Sequence, residues 1–351
     1  MQIVVIDRRL TPRKPSVFAE GCRSSSLRTL LLFMMILVLG APVGRFVQAQ
    51  PADAKKKPPA PKEEVLRTSD GVDLATTYYG SLKGKDAVPV ILLHGYKGSR
   101  GDFNELALAL QAAGCAVIVP DLRGHGDSTR MERGGSSIKL DASKLRKEDF
   151  MMMYSPGTTG GPPSGDLEAI KRFLMHKNNA EELNIEKLCV IGAEMGATIA
   201  INWAAADWSW PPLLGGKQGQ DVKALVLISP QWSFKGVPIT QALNSPAVRQ
   251  NLSIMMIAGS GDAASTRDAT RIYKIFEKHH SAAPKDDAAA AEQQDLFFDR
   301  PETPLRGTEL LSDKAKSLAL NPRIAKFIEL RLIKKKFPWS DRAANKPGKG
   351  D

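Results

Sequence analysis

Residues 188–197 read Leu188-Cys189-Val190-Ile191-Gly192-Ala193-Glu194-Met195-Gly196-Ala197, and this stretch decides how the chain is read. Four apolar residues run straight into Gly-x-Glu-x-Gly and then into a helix-forming segment, residues 195–206. An apolar run that is continuous rather than alternating predicts a strand buried on both faces. A turn this tight between strand and helix holds its central residue at positive φ, so the positions two before and two after must be small. Gly192 and Gly196 meet that demand, with Ala193 and Ala197 beside them. The residue at the apex is Glu194. It is expected to carry strain of about 1–3 kcal/mol and to aim its carboxylate into a pocket rather than the core.

Similar apolar runs recur at Val88–Leu93 and Cys115–Pro120, at residues 224–228 and 252–258, and more weakly at 295–298. Helix-forming segments lie between them: residues 104–113, 266–280, 308–318, and 166–176 with Leu167, Ile170, Phe173 and Leu174 on one face. Asn321-Pro322 reads as the cap and first turn of a last helix through residue 335. At the front, residues 65–68 and Val72–Tyr79 flank Ser69-Asp70-Gly71, a hairpin turn. Strands alternating with helices predict an α/β architecture, a doubly wound, mostly parallel eight-stranded sheet opened by an antiparallel hairpin. No large cap domain interrupts it, because residues 231–250 suffice only for a small lid. Trp203, Trp208 and Trp210 read as local packing after the helix that follows the turn at 192–196. Residues 129–165 are polar and Gly-rich, with Met151-Met152-Met153, and follow a strand end on the side where such sheets bind ligands. They read either as a cover over the pocket or as an ordinary loop. Residues 281–293 read as a surface insertion.

The first 49 residues stand apart. Arg8, Arg9, Arg13, Lys14, Arg23 and Arg28 precede the uncharged apolar residues 30–43, and Val47-Gln48-Ala49 supplies a cleavage site. That is the pattern of a secretory signal peptide, and it predicts export to the periplasm, the cell surface or the medium. The alternative is an uncleaved membrane anchor, but a 14-residue core is short of the roughly 20 needed to span. No cysteine follows the core, so lipoprotein processing is not expected. Residues 50–63 form a Pro/Lys-rich linker, residues 64–337 the folded domain, and residues 338–351 a disordered basic tail. Of the net charge of +11, +5 falls in residues 1–49, leaving +6 on the mature chain. Its lysine clusters at 55–57 and 334–336 suit either an anionic surface or solvated tails. No nucleic-acid motif accompanies them, so nucleic acid is not an expected partner. Cys115 and Cys189 head two strands expected to have a third between them, which puts them beyond disulfide reach.

Three motifs at strand ends carry a resemblance. Leu92-Leu93-His94-Gly95 follows one strand, Pro120-Asp121-Leu122-Arg123-Gly124-His125-Gly126-Asp127-Ser128 the next, and the turn at 192–196 a third. In this order they resemble the His-Gly oxyanion loop, the Asp-x-Arg-Gly-x-Gly-x-Ser turn and the nucleophile elbow of α/β-hydrolases. The resemblance covers about residues 64–337. It implies that Glu194 stands where the family has its serine nucleophile. It also implies that Asp262, after Ala258-Gly259-Ser260-Gly261, holds the place of the triad acid, a role compatible with a second reading as helix N-cap. The family often shows His-Gly-Thr after the last strand. This chain reads Arg306-Gly307-Thr308, so the resemblance puts Arg306 in the histidine's place. The backbone N–H groups of Tyr96 and Met195 are the implied oxyanion donors. His94 and His125 match structural positions near the pocket mouth, His176 lies near the end of a helix, and His279 and His280 are expected to face solvent.

Serine needs histidine to take its proton, and arginine cannot serve. Glu194, Arg306 and Asp262 are instead expected to form a salt-bridged cluster that fills the site and is costly to break. The leading expectation is an exported, catalytically inactive pseudo-hydrolase that acts as a binding or structural module for an unidentified small-molecule or protein ligand. The alternative is a hydrolase with Glu194 as carboxylate nucleophile on esters, epoxides or halides, which still needs a histidine to release the covalent ester. A serine hydrolase built on another residue, such as Ser260, is the remote third. No metal-ligand spacing and no nucleotide loop is present, so no cofactor or metal is expected.

Overall fold

In the computed structural model, residues 57–155, 157, 164–211, 217–280 and 293–342 are described. The signal segment and half of the linker, residues 50–56, lie outside these residues, as does nearly all of the 281–293 insertion. No helix among the described residues is long and apolar enough to cross a membrane.

The strands are β1 (Lys62–Arg67), β2 (Val72–Tyr79), β3 (Val88–Leu93), β4 (Cys115–Pro120), β5 (Arg130–Arg133) and β6 (Ser136–Lys139). They continue as β7 (Leu188–Ala193), β8 (Val222–Ile228), β9 (Ser233–Phe234), β10 (Val237–Pro238), β11 (Ser253–Ile257) and β12 (Leu296–Asp299). One ten-stranded sheet runs β12-β11-β8-β7-β3-β4-β2-β5-β6, with β1 paired to β2. From β12 to β4 the neighbours are parallel, while β1, β2, β5 and β6 pair antiparallel.

The sheet therefore has two strands more than the eight expected, and both come from the stretch read as a loop. β5 and β6 form a hairpin over Gly134-Gly135, both at positive φ. Their residues are largely exposed, so no apolar run announces them. The Gly-Gly pair was the available signal, because a two-residue hairpin turn needs positive φ at both positions.

Helices cover both faces, which is why the central strands read as unbroken apolar runs. On one face Ile91, Leu93, Ile118, Val190, Leu225 and Leu227 pack with α2 (Lys147–Tyr154), α3 (Asp166–Asn179), α4 (Met195–Ser209), α5 (Thr240–Asn244), α6 (Pro246–Gln250) and α7 (Ala263–Phe276). On the other, Val90, Leu92, Val117, Cys189, Ile191 and Val226 pack with α1 (Asn104–Ala112) and α8 (Leu320–Ile328). Cys115 and Cys189 are buried and free, on β4 and β7 with β3 between them.

Helix ends moved where side chains compete for the backbone. α7 starts at Ala263 rather than 266, because Asp262 accepts hydrogen bonds from the backbone of Ala264 and Ser265. Residues 308–318 are not one helix but two 3-10 turns, Gly307–Leu311 and Asp313–Leu318, separated by Ser312 in an extended conformation. The last helix is not capped by Asn321-Pro322 either. It begins at Leu320 after Ala319 in the left-handed region, and Asn321 Nδ2 donates instead to Leu311 O at 3.4 Å.

The expected tail is anchored at its start. Asn184 and Asn178 donate to the carbonyls of Phe337 and Ser340, each at 2.9 Å. The Arg342 side chain is only 4% exposed, paired with Asp221 and lying 3.3 Å from Glu186. The chain is thus ordered at least to Arg342, and a boundary at 337 cuts through this strap.

Candidate functional site

The turn from β7 into α4 is built as its glycines require. Glu194 has φ 51° and ψ −107°. A Cβ on Gly192 would sit 2.3 Å from Gly196 O, and one on Gly196 only 2.1 Å from Leu93 O, so neither position admits a side chain. The apex is pinned by its own backbone. Glu194 N donates to Ile228 O at 2.9 Å, and its carbonyl accepts from Ala197 N and Thr198 N at 3.1 and 3.2 Å.

At the carboxylate, Oε1 accepts from Arg306 Nε at 2.6 Å, with Nη2 also at 2.6 Å. Both guanidinium nitrogens converge on one oxygen, so the contact is not a fork-to-fork pair. Oε2 lies between two glycines. It is 2.7 Å from where a Cβ of Gly95 would be and 2.8 Å from one on Gly307. Gly307 (φ 54°) donates its N–H to Ser229 Oγ at 2.9 Å. Ser229 is itself buried at positive φ after β8, and its N–H donates to Ile257 O at 2.7 Å. Ser229 therefore locks the loop that presents Arg306. Sequence reasoning missed it, and its only signal was its place directly after an apolar run.

Asp262 stands apart from this pair. Its carboxylate is 3.8 Å from Arg306 Nε, and its short contacts go to Ser265 Oγ (2.5 Å) and to the backbone of Ala264 and Ser265 (3.2 and 3.4 Å). Partial burial pushes its pKa up, but the Ser265 hydrogen bonds and the Arg306 charge outweigh that and hold it below the usual carboxylate range. The N-cap reading accounts for Asp262 first. The side chains of Glu194, Asp262 and Arg306 are 23%, 14% and 47% exposed. The expected filled, costly trio is therefore one direct ion pair at a water-exposed edge, with a third group beside it. Exposed pairs contribute at most about 1 kcal/mol.

The histidines are committed elsewhere. His94 is fully buried, not at a pocket mouth: Nδ1 lies 2.7 Å from Gly95 O, and Nε2 accepts from Leu122 N at 3.0 Å. This ring ties the oxyanion loop to the Asp121–Ser128 turn, and burial pushes its pKa down to about 4. His125 is likewise buried, with Nδ1 2.9 Å from Arg123 O. His280 does not face solvent. α7 stops at Phe276, so the chain turns back and places the His280 ring, Nδ1 2.7 Å from Asp295 Oδ1, almost wholly out of water. His176 and His279 are exposed.

The two expected oxyanion donors flank the carboxylate, Met195 as chain neighbour of Glu194 and Tyr96 next to Gly95, against which Oε2 lies. A fixed negative charge there disfavours a developing oxyanion. Beside it, Phe150 and Met153 of α2 share an apolar cluster with Met195, and Tyr96 and Phe234 pack against it. Tyr96 and Phe234 have ring centroids 5.5 Å apart, and Phe150 and Phe234 5.2 Å. Lys235 Nζ donates to Tyr96 Oη at 2.8 Å. Part of the 129–165 stretch, α2, thus packs against α4. Trp203 is buried, donating to Glu168 Oε1 at 2.8 Å, and Trp208 donates to Val222 O at 2.8 Å, so both serve local packing. Among the described residues, no group of three or more His, Cys, Asp or Glu is placed to hold a metal.

A family model for the alpha/beta hydrolase fold matches residues 88–253. Solved structures agree. An esterase of Pyrococcus furiosus superposes with a TM-score of 0.52 at 16% identity, over 78% of this chain and 93% of that one. A thermostable carboxyl esterase from Bacillus coagulans, in complex with glycerol, gives 0.52 at 12% identity over 78% and 99%. An acylaminoacyl peptidase of Pyrococcus horikoshii gives 0.51 at 14%, over 83% of this chain and 45% of that one. Two uncharacterized proteins of Mycobacterium tuberculosis are 35% identical over 68 residues, a match that spans 19% of this chain and 24% of each relative. The chain is an α/β-hydrolase-fold protein.

Proposed function

We propose that this chain is an exported, catalytically inactive member of its fold class, a binding or structural module for a small-molecule or protein ligand. The observation that carries the reading is the apex of the elbow. A carboxylate stands there, one oxygen held by Arg306 at 2.6 Å and the other seated against Gly95. That oxygen occupies space beside the backbone donors where acyl-transfer chemistry gathers negative charge. Solved structures that share its fold include esterases and a peptidase, so hydrolysis is the chemistry this site is set against.

The carboxylate-nucleophile alternative lacks its second actor. Attack by Glu194 would form an ester that a histidine-activated water must break. His94 has both ring nitrogens engaged in the core, and Arg306 sits on the carboxylate in place of a base.

A serine-reactive phosphonate read by intact-protein mass spectrometry tests the proposal. The native chain is expected to stay unlabelled, and stoichiometric labelling of any serine overturns the inactive reading. The same spectrum addresses export, for which the support is the sequence of residues 1–49. Protein recovered from cells that secrete it should begin at Gln50, and a chain still beginning at Met1 would make the segment an anchor.

A further inference from the structure

A second site lies at the other end of the sheet. Glu194 and Gly95 follow the ends of β7 and β3. A cavity of about 610 Å³ is lined by residues that precede the same strands, Lys85 and Asp86 before β3 and Asn184 and Lys187 before β7. Its remaining wall is the chain after α8, residues 333–339, with Lys334, Lys335, Lys336 and Trp339. Six residues of parallel strand put this cavity about 20 Å from the elbow.

Five lysines and a single carboxylate, Asp86, line it. Two of the five have acidic partners: Lys85 is 2.9 Å from Glu181, and Lys334 is 3.3 Å from Glu329. Lys85 also stacks its ammonium 4.2 Å from the centroid of the Trp339 ring. Lys187 differs from these. Only 6% of it is exposed, yet it lines the cavity, and its ammonium has no hydrogen-bond or carboxylate partner among the described residues. The indole N–H of Trp339, another lining residue, is also buried without a partner among the described residues. The Lys187 ammonium nitrogen keeps some solvent access, and the opening it has is onto the cavity. An anion entering the cavity would meet this ammonium, drawn by the exposed Lys335 and Lys336 on the rim. Several ammonium groups around one concavity favour a compact multivalent anion, for which lysine serves as a point charge.

We propose that the cavity closed by the C-terminal strap binds a phosphate group, with Lys187 at its inner wall and Lys335 and Lys336 at its rim. The site is independent of the elbow and stands whether or not the elbow is active. Both a soluble phosphate ester and a phospholipid headgroup present this chemistry, so the probes are inorganic pyrophosphate and phosphatidylglycerol vesicles diluted in phosphatidylcholine.

Titration calorimetry of the purified chain with pyrophosphate, and vesicle flotation in parallel, test this. Binding of at least one probe is expected. Lys187→Met should weaken it about tenfold or more, the loss of one charge-assisted contact. Lys335→Ala/Lys336→Ala leaves the interior untouched and should weaken the same binding, which keeps the test decisive if Lys187→Met does not fold. Lys316→Ala, an exposed lysine on another loop, should bind as the native chain does. Binding of pyrophosphate assigns a soluble phosphate, and binding of vesicles alone assigns a headgroup. Failure to bind either probe, or binding that the lysine replacements leave unchanged, overturns the proposal.

Discussion

Glu194 is held by geometry before chemistry. Its φ of 51° is imposed by a turn that leaves no room for a Cβ at Gly192 or Gly196, and its carboxylate goes where Gly95 and Gly307 leave space. The ion pair with Arg306 follows from that placement and does little to hold the fold, since Arg306 is nearly half exposed. Arg306→Leu should therefore lower unfolding free energy by no more than about 1 kcal/mol. A loss above about 3 kcal/mol in a urea titration would restore the buried-cluster picture. His94 carries more weight. Burial lowers its pKa to about 4, against about 6.5 in an unfolded chain. Between those values the unfolded state binds the extra proton, so stability falls as pH drops from 6.5 toward 4 and levels off below. The loss over that window is about 3 kcal/mol. Urea midpoints from pH 7 to 4 should show the slope, and His94→Asn should flatten it. At this scale Glu194, Gly192 and Gly196 were legible because the turn has one steric solution. The distance between Asp262 and Arg306 was not, because side chains that share a loop cluster still choose nearer partners, as Asp262 chose Ser265.

Elements buried on both faces announced themselves, and elements on the surface did not. β3 and β4 match their apolar runs at both ends because every residue in them is buried. β5 and β6, half in water at the sheet edge, have no such run, and only Gly134-Gly135 marked their turn. The C-terminal strap was illegible for a related reason. Its residues 337–342 follow neither a helical nor a strand period, and its order comes from partners far away in the chain. Arg342 reaches Asp221 and Glu186, while Lys171 and Lys217 also lie 3.0 Å from Asp221. Because Asp221 keeps two cations when Arg342 is lost, Arg342→Ala should cost about 1–3 kcal/mol, less than a fully broken buried pair. Thermal unfolding in low salt checks this, and an unchanged melting temperature would mean the strap is ornamental to stability.

Across the whole molecule the sheet separates two places with opposite electrostatics. At the strand ends, the oxyanion loop and the elbow converge on a carboxylate neutralised by an arginine. At the strand starts, five lysines gather around a cavity, with the nearly buried Lys187 at its inner wall. The fold class was readable from three ordered motifs at strand ends, because parallel strands carry such loops to one side of the sheet. The second place was not readable, since its lysines come from three segments that only the closed fold brings together. The most direct measurement is hydrolysis of short- and medium-chain p-nitrophenyl esters by the purified native chain beside Glu194→Ser/Arg306→His. The expected result is no turnover by the native chain and turnover appearing in the double replacement. Turnover by the native chain that Glu194→Gln abolishes would contradict the inactive assignment and make the glutamate catalytic.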